Sequence, residues 1–302
     1  MQQKTQDEYK SLAKHFYATR LPGQTISPKK IADALAASSP EYRPSYFRRL
    51  RSAIAHDQES KGYGEAAERI RAVENLAKKQ GLKLPAKQKR VTAISQKDED
   101  KLFEHLQQSG DAEVTAAVLL AKYLGVRPSE MMGVRIEGEK VVISGAKKND
   151  EGTRGADRVV QVAPRVLPTL TQCVEALRAS PRGIVGAQDR LRRICADIWP
   201  QRKARPTLYT YRHQLGSDLK AWAVDRVEIA YMMGHQATKS VDQYGDKRQG
   251  RGKPLIRPAP GADLSKIRIN HVAAKRLAPA TQAPAPQAPG YDFGFDDGPG
   301  RR

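Results

Sequence analysis

The sequence predicts a mainly α-helical protein with one small antiparallel β-sheet, built as two domains. Three observations carry that prediction. Apolar residues recur at helical spacing over most of the chain. The period changes to strand-like alternation only in "GVRIEG", "KVVISG" and "DRVVQVA", between residues 133 and 163. A segment with a proline and four cationic residues, "KLPAKQKRVTAIS", interrupts the helical pattern around Pro85. At 302 residues, two modest cores fit the chain better than one large one.

The elements follow in order. In "TISPKKIADALAAS", Ser27 reads as an N-cap and Pro28 as the first helical residue. "EYRPSYFRRLRSAIAHDQES" and "GEAAERIRAVENLAKKQG" read as further helices, the latter ending at Gly81 as a left-handed cap. Residues 1–82 therefore read as a small helical bundle with Arg and Lys on its outer faces, and residues 83–94 as a linker. Ser95 and Asp98 form a capping box that opens the next helix. "DAEVTAAVLLAKYLG" is an apolar helix that stops at Gly125. Three short strands come next, joined by "EGEK" and by the longer polar tip "AKKNDEGTRGA". From Pro164 to Tyr244 the pattern is helical again, and residues 95–255 read as the second domain. Residues 256–302 end in "LAPATQAPAPQAPGYDFGFDDGPGRR", too rich in Pro, Ala and Gly to build a core, and read as a largely disordered tail.

The formal charge of +20 calls for a polyanionic partner, and nucleic acid is the commonest one. An anionic membrane surface fits less well, because the basic residues are spread over many helices and form no juxtamembrane run. No apolar window approaches the ~20 residues of a spanning helix, and "MQQKTQDEYKS" lacks the apolar region of a signal peptide. Two cysteines, Cys173 and Cys195, suggest a reducing compartment, so the expected location is cytoplasmic and DNA-associated. The six histidines are scattered, none at metal-ligand spacing, and no metal or cofactor is expected.

Four fragments carry chemistry. "GVRPSEMMGVR" places Arg127 at the start of a short helix, with Glu130 one turn later on the same face. "VVISGAKKND" places Lys147 and Lys148 where a strand runs out into a hairpin tip. "TLYTYRHQLGSDL" puts Arg212 and His213 on a helix, three residues after Tyr209 in the case of the arginine. "MMGHQATKSVDQYGDKR" sets Tyr244 nine residues after His235. Each fragment is weak alone. Taken in order, Arg127, Lys147, Arg212, His235 and Tyr244 resemble the catalytic domain of the tyrosine recombinase (phage integrase) family, over residues 95–250. That family's pattern has an arginine in a G-x-R-x-S-E-like segment, a lysine on a β-hairpin, His-x-x-Arg, Gly-His, and a tyrosine nine residues after that histidine. Residues 1–82 resemble its core-binding domain only in a general way. Tyr209 departs from the pattern, standing where the histidine of His-x-x-Arg is expected.

The resemblance implies a two-domain clamp on double-stranded DNA that cuts and rejoins strands as a site-specific recombinase or integrase of a mobile genetic element. Four protomers would pair two DNA sites through a Holliday junction, with DNA-bending accessory proteins as further partners. Tyr244 would attack the scissile phosphate as it loses its proton. Arg127 and Arg212 would each present paired donors to the phosphoryl oxygens, with a hydrogen bond from His235. Lys147, preferred over Lys148, would protonate the departing 5′-oxygen. Glu130 would buttress an arginine or a helix dipole, and His213 would be structural. A phenol at Tyr209 can donate a hydrogen bond to a phosphate oxygen but cannot shuttle protons near neutral pH as imidazole does. A type IB-like topoisomerase, or a DNA-binding protein that keeps the fold without cleaving, are the alternatives.

Overall fold

The computed structural model describes residues 3–82, 84–86, 89–146 and 156–270. The chain divides into two compact units, Met1–Gln88 and Lys89–Arg302, with the division inside the basic segment read as a linker.

The first unit holds α1 (Gln3–Arg20), α2 (Pro28–Ala37), α3 (Pro44–Ser60), α4 (Gly64–Arg71) and α5 (Leu76–Lys79). Ser27 caps α2, its hydroxyl accepting from the Lys30 N–H at 3.3 Å. Phe16, Ile31, Leu35, Leu50, Ile54 and Ile70 meet at helical spacing to form one core. The segment expected as one helix up to Gly81 is two, and side chains from elsewhere in the unit explain the break. Arg51 donates to the Val73 carbonyl at 2.8 Å and the Leu76 N–H donates to Ser39 Oγ at 3.1 Å. These bonds satisfy backbone groups that a continuous helix would pair internally. Gly81 does take the left-handed conformation, at φ +65°.

In the second unit, α6 (Gln96–Ser109) starts at the Ser95 cap, with Ser95 Oγ accepting from the Asp98 N–H at 3.1 Å. The next helix, α7 (Ala112–Leu124), is apolar nearly all round and lies at the centre. It packs against α9 (Leu167–Ala179), α10 (Gly183–Ile198) and α11 (Leu208–Ala221). A helix so buried must end sharply to free the chain for the site, and Gly125 ends it at φ +59°. Between α7 and α9 come the one-turn α8 (Pro128–Met131) and the strands β1 (Val134–Glu137), β2 (Lys140–Ile143) and β3 (Arg158–Val162). With β4 (Ile256–Pro258) from further along the chain, the sheet of the described residues is antiparallel throughout, in the order β1-β2-β3-β4. Val141 and Ile143 on β2 and Val160 and Val162 on β3 are all buried. After α11, α12 (Arg226–Met232) and a 3-10 helix (Thr238–Gln243) lead to Tyr244.

The tail expected from residue 256 is corrected. Ile256–Pro258 forms β4, paired with β3, and Ile256 and Ile267 are buried. Further on, the Arg268 N–H donates to the Gln236 carbonyl and the Thr238 N–H to the Arg268 carbonyl, each at 3.0 Å. A three-residue strand ending in proline has too little alternation to announce itself. Residues 271–302, expected to be disordered, lie outside the described residues, as do Lys147 and Lys148. Among the described residues, no helix is long and apolar enough to cross a membrane.

Candidate active site

The site begins where α7 ends. Arg127 is the extended N-cap of α8, with Pro128 at the first helical position. That geometry turns Glu130 back onto Arg127: its Oε2 accepts from the Arg127 N–H at 2.9 Å and its Oε1 from Arg127 Nη1 at 2.5 Å. Arg158, at the start of β3, donates from Nη2 to the same Oε2 at 2.9 Å. Glu130 is thus shared by two guanidiniums in a place where all three side chains are almost wholly withdrawn from solvent.

Arg212, on α11, is fully buried and donates from Nη1 to the Gly125 carbonyl and from Nη2 to the Met233 carbonyl. Those carbonyls end α7 and α12, where the partial negative charge of a helix collects, so a guanidinium is well placed to cap both. Arg212 Nη2 also lies 3.0 Å from His235 Nε2. A guanidinium can only donate, so Nε2 accepts and the histidine proton sits on Nδ1. Among the described residues that Nδ1 has no partner, nor does Arg212 Nε. Three engaged acceptors leave Arg212 two of its five N–H groups, so it offers its charge more than the open fork expected of it. Arg127, engaged by Glu130 and weakly by the Gly234 carbonyl at 3.5 Å, is the more open of the two.

Tyr244 comes out of the 3-10 helix half-buried, with its ring 4.7 Å from the Arg212 guanidinium carbon. The rings of His213 and His235 stand 4.8 and 5.0 Å from it. Its backbone is docked on α11. Lys220 Nζ donates to the Tyr244 carbonyl at 2.7 Å and the Gly245 carbonyl at 2.8 Å, and the Gly245 N–H donates to His213 Nδ1 at 3.2 Å. Gly245 holds φ at +69°, and a Cβ there would come within 2.3 Å of Ser217 N on α11. Left-handed strain alone is worth about 1–2 kcal/mol for an L-residue. Gly245→Ala should therefore lower Tm by several degrees and displace Tyr244, whereas Gly252→Ala, with open space around it, should not. Calorimetry of both variants checks this; equal Tm values would show that the dock yields freely.

Electrostatics sharpen the picture. Burial alone would raise Glu130, but Arg158 and then Arg127 hold its pKa down to about 2. Burial lowers Arg212 to about 9, with Arg127 and Arg158 adding repulsion. His235 is pushed down to about 2, first by burial and then by Arg212, Arg127 and Arg158, so it stays neutral when folded. Unfolded, it titrates near ~6.5. As pH falls through that value, the unfolded chain gains a proton that the folded chain does not, so stability drops. The drop approaches about 1.4 kcal/mol per pH unit. Glu130, by contrast, loses its stabilising contribution between its unfolded value near ~4.3 and about 2. His235→Gln keeps an acceptor for Arg212, so it should flatten the stability profile between pH 6.5 and 4.5. Urea unfolding across that range is the check, and parallel profiles would defeat it.

Four of the residues singled out from the sequence thus converge: Arg127, Arg212, His235 and Tyr244. Glu130 and His213 take supporting places beside them. Tyr209 is 43% exposed on α11, and among the described residues no hydrogen bond ties it to the cluster. Sequence reasoning missed Arg158 and Lys220. Alternation offered a signal for Arg158, which shares a strand face with Val160 and Val162, where an arginine needs a reason. Lys220 gave none, being one more lysine on a helix. Gly234 was read only as part of a Gly-His pair. A Cβ on it would lie 2.5 Å from Arg158 Nη1 and 3.4 Å from Arg127 Nη1.

Solved structures with a similar fold share little sequence with this chain. A lambda integrase dimer bound to a COC′ core site matches with a TM-score of 0.56 at 17% identity, over 84% of this chain and 74% of that one. A lambda integrase tetramer bound to a Holliday junction gives 0.53 at 17% identity, over 78% and 72%. The Tn1549 transposon integrase in complex with a circular intermediate DNA gives 0.53 at 11% identity, over 82% and 90%. No family model matches the chain, and no curated protein matches its sequence.

Proposed function

We propose that this chain, which has the fold of the tyrosine recombinases, breaks and rejoins DNA strands through a 3′-phosphotyrosine on Tyr244. One observation carries the reading. Arg212 lies against the Tyr244 ring, and Arg127 and Arg158 share Glu130 close enough to repel Arg212. Among the described residues of the cluster, three guanidiniums thus meet one carboxylate, and two positive charges stay uncompensated in a buried place. Such an excess is costly without an anion to meet it. A phosphodiester brings one negative charge, and its pentacoordinate transition state brings close to two, so the pocket matches the transition state better than the ground state.

In the proposed step, Tyr244 Oη forms a bond to phosphorus as the bond to the 5′-oxygen breaks, and the phenolic proton passes to solvent water. Arg127 presents donors to the non-bridging oxygens, Arg212 supplies charge, and the His235 Nδ1–H is free to donate to one oxygen. His235 does not act as base, because its Nε2 already accepts from Arg212. Lys147 is assigned the proton for the 5′-oxygen on its sequence position alone. One phosphoester is exchanged for another, so resealing needs no outside energy source. Duplex DNA is the proposed substrate. Four protomers would act on two paired sites, a reading supported by the similar fold of a lambda integrase tetramer bound to a Holliday junction. Integration or excision of a mobile element is the proposed role.

The test uses nicked duplexes tiled across the DNA that flanks the gene, so that cleavage frees a short strand and traps the intermediate. A protein–DNA adduct that survives SDS supports the proposal. Retarded but never covalently joined DNA would favour the non-cleaving alternative, and relaxation of a plasmid without exchange between two sites the topoisomerase one. Tyr209 enters here as a minor contributor. It can add one neutral hydrogen bond, worth ~0.5–1.5 kcal/mol, so Tyr209→Phe should slow adduct formation about tenfold or less. A larger loss in single-turnover assays would give Tyr209 a charge-stabilising task that its exposed position does not suggest.

A further inference from the structure

Arg158 is the member of the cluster to which the chemistry above gives no task. It is 1% exposed, on the face of β3 that carries Val160 and Val162, and across β2 its register partner is Ile143. An apolar side chain would suit that environment better, since a buried ion pair rarely outperforms a well-packed hydrophobic replacement. Its Nε and Nη1 have no partner among the described residues. Gly234, at φ +62°, leaves the space its guanidinium fills. Stability therefore does not account for Arg158.

Among the described residues its ion pair is with Glu130, and Glu130 is the carboxylate that orients Arg127. The two oxygens divide their work: Oε1 takes Arg127 Nη1, while Oε2 takes Arg158 Nη2 and the Arg127 N–H. Without Arg158, the whole carboxylate charge would fall on Arg127 and neutralise the guanidinium that faces the phosphate. We infer that Arg158 is a positioning residue that shares the Glu130 charge, so that Arg127 is held in orientation by Glu130 yet keeps its positive charge for the scissile phosphate. This rests on the recombinase reading above. The hold on Glu130 agrees with it, because Arg158 is the largest influence lowering the Glu130 pKa, ahead of Arg127.

The experiment is a two-by-two comparison of adduct rate at saturating nicked DNA, using the full chain, Arg158→Met, Glu130→Gln and the double variant. Arg158→Met should slow adduct formation by about 10²-fold, the scale seen when a transition-state donor is lost, with DNA affinity changed less than about threefold. In the Glu130→Gln background the same change should do little, under about threefold, because the charge that Arg158 shares is gone. This masking also separates positioning from folding: a structural loss would lower the rate equally in both backgrounds. If Arg158→Met alone does not fold, Arg158→Gln, which removes the charge but keeps a donor for Glu130, takes its place in both backgrounds. Arg158→Lys, which restores the charge, should recover at least a tenth of the parent rate. Equal losses in both backgrounds, or no loss in either, would overturn the positioning role while leaving the recombinase reading intact. A parent chain that forms no adduct would overturn both.

Discussion

Tyr244→Phe is expected to abolish covalent attachment to DNA while leaving DNA affinity and Tm unchanged. The ring is what the structure holds: it lies over Arg212 and between the two histidine rings, and phenylalanine keeps those contacts. No hydrogen bond to the hydroxyl is made among the described residues, so its removal breaks none. What disappears is the attacking oxygen, and with it every adduct. The nearest tyrosine in sequence cannot take over without rearrangement. Tyr231 is 8% exposed, and its hydroxyl accepts from the Val159 N–H at 3.0 Å and donates to the Val159 carbonyl at 3.3 Å. Denaturing gels of both proteins on the same nicked duplex make the comparison. Adduct at even a few per cent of the parent level would remove Tyr244 from the role of nucleophile.

Arg212→Ala is expected to cost both cleavage and stability. The guanidinium lies between two helix ends, and its loss leaves the Gly125 and Met233 carbonyls without their side-chain donor. Burying two unsatisfied carbonyls destabilises by about 2–5 kcal/mol in total. The chemistry suffers separately, because an electrostatic donor near a developing anion is worth on the order of 10²–10³ in rate. Measured below the lowered Tm, at saturating DNA, the variant should form adduct at less than a hundredth of the parent rate. Arg212→Lys should recover part of the stability and little of the rate, since an ammonium cannot span both carbonyls and His235 with the same planar fork. A folded alanine variant with a tenth of parent activity would show that Arg212 is scaffold alone.

Most of the architecture could be read in advance because it is local. Ser27 with Pro28, Ser95, Gly125, and Arg127 before Pro128 each mark an element boundary through the chemistry of one or two neighbours. Arg212, His235 and Tyr244 were legible instead from their place in an ordered pattern of residue types, with Tyr244 nine residues after His235, even though Arg212 meets His235 across 23 residues. What could not be read depends on partners distant in sequence. Arg158 meets Glu130 across 28 residues, and Lys220 meets the Tyr244 carbonyl across 24. The break between α4 and α5 is held by Arg51 and Ser39 from other elements, so helical periodicity through that stretch was misleading. Gly234 was visible only as part of the Gly-His pair, and Gly245 carried no pattern; their meaning is the volume they leave to Arg158 and to α11.

The last strand has a bearing on how the chain must be handled. β4 covers the open side of β3, pairing Val160, Gln161 and Val162 with Pro258, Arg257 and Ile256. An uncovered strand exposes a row of backbone donors and acceptors that invites another chain to pair with it. β3 is rich in valine, the composition that makes such pairing adhesive. Shortening the polypeptide soon after Tyr244 would leave its proposed nucleophile in place but strip the cover from β3, yielding a self-associating preparation whose poor solubility could be mistaken for lost chemistry. Tags and shortened versions are therefore best placed beyond Asn270, whose side chain still accepts from the Lys239 N–H at 3.0 Å.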